Sequence, residues 1–117
     1  MKNRTSTETP TGAAPICWQR EAPSACLRIE LESGETYLLP YNHLFAVHLA
    51  KPSDRTETLR ITFSSHEIQI EGHNLRDLVL GIQDFAIKWL RAVPERYQPL
   101  VPSRDAVIVS VRITAVE

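Results

Sequence analysis

The stretch Ser64-Ser65-His66-Glu67 sets two hydroxyls, an imidazole and a carboxylate side by side, and a second imidazole follows at His73. These are the parts of a nucleophile–base–carboxylate relay, or of a metal site. Adjacency makes neither. Successive side chains on a strand point to opposite faces, so His66 shares parity with Ile68 and Ile70, whereas His73 shares parity with Glu67, Gln69 and Glu71. His43 and His48 differ in parity as well. A zinc site needs three or four ligands converging at about 2 Å, and the chain has neither an H-E-x-x-H nor a C-x-x-C. The residue-level reading places His66 at a turn or core rim, His73 before a helix cap and His48 on a solvated strand face. Cys17 and Cys26 read as small buried hydrophobes. No catalytic, cofactor-binding or metal-ligating residue is assigned, and no cofactor is expected. The alternative is a small enzyme or metal-binding protein using His66 with its polar neighbours, or Cys26 with a distant histidine.

The composition sets the frame around these residues. At 117 residues the chain has room for one hydrophobic core. With 43% hydrophobic and 23% charged residues it belongs with folded soluble domains. A net charge of −1 with interspersed signs gives no basic face for nucleic acid. The start, "MKNRTSTETPTGAAP", has no apolar core of a signal peptide, and no run approaches the roughly 18 apolar residues of a membrane span. The expectation is a soluble, cytoplasmic protein with a flexible tail over residues 1–15 and a single α+β domain over 16–117.

Alternation supplies the strands. Leu27, Ile29 and Leu31 share one face, and Ser33-Gly34 marks a turn. A type I turn with Gly34 as a left-handed bulge pairs Leu31 with Glu35, Ile29 with Tyr37 and Leu27 with Leu39. That register gathers the large apolar residues on one face. Pro40 ends or interrupts the second strand. Phe45, Val47 and Leu49 form a third inward set; Leu59, Ile61 and Phe63 a fourth; Ile68 and Ile70 a fifth, with Ile61 set against Ile68 across Ser64-Ser65. From Leu75 the apolar positions 75, 78, 79, 82, 85, 86, 89, 90 and 93 fit a helical stripe. Asn74 serves as N-cap, Asp77 supports it, Trp89 lies in the core and Pro94 ends the helix. Ala106–Val116 is a β-branched strand with Arg112 as its one charge.

The segments "SGE" (33–35) and "IEGHNL" (70–75) resemble the two short motifs of Sm-like RNA-binding barrels, over about a dozen residues. The resemblance implies an RNA-binding module as a further alternative. The chain departs from that pattern where a helical stripe follows Leu75 in place of a short final strand. Mixed charges at Arg28, Arg60, Glu30, Glu67 and Glu71 also disfavour phosphate contact.

The resulting expectation is an α+β fold: an antiparallel β-meander of about five strands, one long amphipathic helix over 75–92 packed on one face, and a sixth, C-terminal strand. The expected role is a non-catalytic protein-interaction or assembly module. Its first partner is a second copy, joined through the C-terminal strand, with an unidentified protein as another; no membrane partner is expected.

Overall fold

A computed structural model of the chain describes residues 16–116; the expected tail over 1–15 lies outside the described residues. Alternating apolar positions become eight strands. These are β1 (Trp18–Arg20), β2 (Cys26–Glu30), β3 (Thr36–Pro40), β4 (Leu44–Ala50), β5 (Glu57–Phe63), β6 (His66–His73), β7 (Ile87–Arg91) and β8 (Val107–Ala115), with one α-helix, α1 (Arg76–Gln83). The fold is mixed α and β and mostly strand. One sheet has the order β1-β7-β2-β3 and the other β4-β5-β6-β8. All pairings are antiparallel except β2 with β7.

The two hairpin registers follow from side-chain parity. Leu27 pairs with Leu39 and Ile29 with Tyr37. The Leu31 N–H donates to Glu35 O, and Gly34 sits at φ +95°, the left-handed conformation the bulged turn requires. Across Ser64-Ser65, Ile61 faces Ile68 and Leu59 faces Ile70. Leu27 and Ile29 from the first sheet, Leu59, Ile61, Phe63, Ile68 and Ile70 from the second, and Leu75, Leu78 and Ile82 from α1 form one buried cluster.

Four expectations are corrected. The five-strand meander is split in two: after Pro40 a single 3-10 turn, Tyr41–His43, carries the chain from one sheet to the other. The helix expected over 75–92 is α1 alone, which ends at Gln83. Phe85 then takes φ +54°, and the chain leaves as β7, parallel to β2. The helical spacing beyond Gln83 has a different origin. Gln19 pairs with Trp89 but Arg20 with Ile87, so Lys88 is an extra residue in the ladder. That bulge lets Ile87 and Leu90, three residues apart, both reach full burial. Trp89 is accordingly not a core residue but lies half-buried on the outer side. In β4, Leu44 pairs with Phe63 and Ala46 with Thr62, leaving Phe45 unpaired and 75% exposed, where the alternation had turned it inward.

The helix start also differs from the expected cap. Asn74 adopts φ +56° and sends its amide to the carbonyls of Ser103 (2.8 Å) and Asp105 (3.2 Å). The Leu75 N–H is met instead by Glu57 Oε1 at 2.8 Å.

Two glycines test these details by different mechanisms. Gly34→Val places a β-branched residue at positive φ with open space around it, and should cost about 1–2 kcal/mol. Gly72→Ala would drive a methyl into the backbone carbonyl of Val107 and should cost about 2–3 kcal/mol. Urea unfolding of both variants checks the values, and a neutral Gly72→Ala would remove the close β6–β8 approach described next.

Candidate functional site

The histidines do not converge. His66 opens β6, half-buried, with its ring edge-on to Tyr37 at 5.4 Å between centroids. Its Nδ1 lies 2.8 Å from Ser65 Oγ, so the hydroxyl and imidazole neighbouring in sequence do meet. Glu67 turns to the other face of the strand and pairs with Arg60 at 3.4 Å. Ser64 gives its N–H to His43 O. His48 is exposed opposite Arg60, and His73 is exposed opposite Val107. Glu71 pairs in the ladder with Thr58 and Ser110. Among the described residues no three His, Cys, Asp or Glu side chains gather as metal ligands.

Both cysteines are free. Cys26 is half-buried opposite Pro40. Cys17 is buried, with Sγ 3.5 Å from Ala106 O, and burial pushes its thiol up, against the opposing effect of a backbone hydrogen bond at Ile108. A thiol held protonated is a poor nucleophile. The Tyr41 hydroxyl is also pushed up by burial, and it donates to Ile87 O at 2.6 Å.

The outer face of the first sheet carries a cluster that the helical reading hid. Trp89 Nε1 donates to Gln19 Oε1 at 2.7 Å, and the Arg91 guanidinium lies 4.7 Å from the Trp89 ring centre. Glu30 accepts from Arg28 at 2.9 Å and Arg91 at 3.5 Å, while Lys88 meets Glu21 and Arg20 meets Asp84. Each cation here has a carboxylate partner, so the face reads as a satisfied, solvated ionic layer. Only the bulge at Lys88 reveals it, and in the sequence that bulge imitates helical spacing.

What remains open is the rim of the second sheet. β8 returns along β6 inside its own chain after a long connection, and four contacts fix its entry. Asn74 clamps the Ser103 and Asp105 carbonyls; Cys17 touches Ala106; the Val93 N–H donates to Ile108 O at 2.7 Å; and Gly72 admits the Val107 carbonyl. Val107 and Ile108 are therefore covered within the chain. Past a register shift between Gly72↔Ile108 and Glu71↔Ser110, the strand is regular to its end. There the Val116 N–H donates to Ser65 O. Alternation in an antiparallel ladder then turns the N–H and C=O of Ser110, Arg112 and Thr114 toward β6 and those of Val111, Ile113 and Ala115 outward. The side chains of Val111 and Ile113 lie opposite fully buried Ile70 and Ile68 and are themselves half-buried.

No family model, no curated protein and no solved structure matches the chain. The "IEGHNL" segment runs from β6 into α1. Among the described residues no helix is long and apolar enough to cross a membrane.

The two buried acids set an alkaline limit. Each ionises at higher pH folded than unfolded. Their stabilising contribution is complete below the unfolded values, about 8.5 for a thiol and about 10 for a phenol, and is lost as pH rises past them. Urea unfolding should show a marked loss of stability between pH 8 and 11. Tyr41→Phe should be less stable at pH 7 by about 1–3 kcal/mol, because Ile87 O loses its donor, yet show a shallower alkaline decline.

Proposed function

We propose that this protein is a non-catalytic interaction and assembly module that associates with a second copy of itself through β8. The observation that carries the reading is the run of three outward-facing backbone positions at Val111, Ile113 and Ala115 on a sheet edge that has no partner strand among the described residues. Unpaired N–H and C=O groups in a row are a template for another strand.

The other three sheet edges are each blunted. β1 is three residues long, β3 is five and ends in Pro40, and β4 bulges at Phe45, which shortens its regular part to Ala46–Ala50. Short length, proline and bulges are the usual devices that prevent edge pairing. β8 spans nine residues and carries a single charge, Arg112. The half-buried Val111 and Ile113 would gain apolar cover from a neighbour on the core side. The mixed charges and the paired carboxylates support an interaction role over an RNA-binding or catalytic one.

Light scattering of the full chain at micromolar concentration should give the mass of a dimer. Ile113→Pro is the selective variant, because its N–H faces the open edge and no ladder bond among the described residues depends on it. It should keep its far-ultraviolet circular dichroism and run as a monomer. A monomeric full chain, or a dimeric Ile113→Pro variant, would overturn the reading. A chain ending at Arg104 is no substitute, since it also removes Ile108 from the core.

A further inference from the structure

We infer that the two copies pair antiparallel about a two-fold axis through Ile113, so that Ile113 faces its own copy, Val111 faces Ala115 and Arg112 faces Thr114. This rests on the self-association reading above and specifies its register.

Two copies of one strand related by a two-fold axis in an antiparallel ladder are symmetric about the axis position. Outward-facing residues must meet outward-facing residues to form hydrogen bonds across the new seam. The outward set is Val111, Ile113 and Ala115, and only reflection about Ile113 maps that set onto itself. Every outward N–H and C=O on both strands then has a partner. An axis through Arg112 would pair Val111 with Ile113 and send Ala115 to Val109, where the β6–β8 register is irregular. It would also set Arg112 against Arg112, and like charges directly opposite are destabilising. An axis through Thr114 pairs Ile113 with Ala115 but leaves Val111 opposite position 117, beyond the end of β8.

The side chains agree with the backbone. On the core-facing side, an axis at Ile113 assembles Val111, Ile113 and Ala115 of both copies into one apolar strip that continues the buried Ile68 and Ile70 row. On the outer side it brings the Arg112 stem beside Thr114, with no facing cation. The start of β8 stays outside the seam, where Ile108 O is already taken by Val93. The two sheets would join as one of eight strands in the order β4-β5-β6-β8 and its reverse.

Cysteine pairing reads the register directly. Residues facing each other in a non-hydrogen-bonded antiparallel pair have Cα atoms about 4.5 Å apart, within disulfide reach, whereas a two-residue offset is not. In full-length protein carrying Cys26→Ser, with buried Cys17 left in place, Arg112→Cys and Thr114→Cys are made as separate variants. After mild oxidation, an equimolar mixture should shift a large share of the chain to a non-reducing band at twice the 13.3 kDa chain mass. Each variant alone should remain at the single-chain mass. Cross-linking of Arg112→Cys alone places the axis at Arg112, and of Thr114→Cys alone at Thr114; either overturns the register. A mixture that fails to cross-link while light scattering still reports a dimer also overturns the register, and leaves self-association standing. A monomeric mass for the unsubstituted chain removes the underlying reading as well.

Discussion

The seam between the two sheets depends on one close approach, the carbonyl of Val107 lying where a side chain at residue 72 would otherwise be. With glycine there, β8 can lie down on β6 and drop Ile108 into the core at full burial. Ile108 then receives the Val93 N–H, and Val93 follows directly from β7 of the other sheet. One backbone hydrogen bond thus ties the last strand of one sheet to the segment leaving β7, the last strand of the other. Tyr41 makes the matching tie at the chain's crossing between sheets, bonding Ile87 O from the 3-10 turn. The core is built between these two ties, and neither tolerates an unsatisfied polar group, because buried donors and acceptors without partners are costly.

Polar groups elsewhere serve position more than chemistry. Glu57 and Asn74, both plain polar residues in sequence, cap the helix start and clamp the Ser103 and Asp105 carbonyls. The carboxylates that stand near candidate bases are engaged by arginines. Glu67 is held by Arg60 rather than turned toward His66. The chemistry-bearing residue types are present, but strand parity and ion pairing distribute them over different faces.

The two hairpins were legible from residue types because their registers depend on period-two burial and one left-handed glycine, both visible locally. The paths through 84–91 and 44–46 were not. At each place one extra residue enters a ladder, and the inward side chains acquire a spacing that strict alternation does not have. Around Lys88 that spacing imitates a helix; at Phe45 it turns an apolar ring to solvent. The parallel pairing of β7 with β2 joins residues about sixty positions apart, so no local pattern announces it. For the candidate site, the separation of His66 from His73 was readable from parity, and β8 as a strand from its β-branched composition. Its place at a sheet rim depended on the strand order, which only the assembled core decides.

The bulge at Phe45 bears on how far any strand-to-strand association could proceed. A sheet with two receptive rims is divalent, and divalent units joined head to tail grow without limit into fibres. The bulge takes Phe45 out of the opposite rim, so the regular part of β4 shortens to Ala46–Ala50, with the backbone groups of Val47 and Leu49 turned outward. If copies join at β8, that shorter rim would offer a further copy fewer backbone groups than β8 does, so growth along the hydrogen-bonding direction would favour a single joining event over polymerisation.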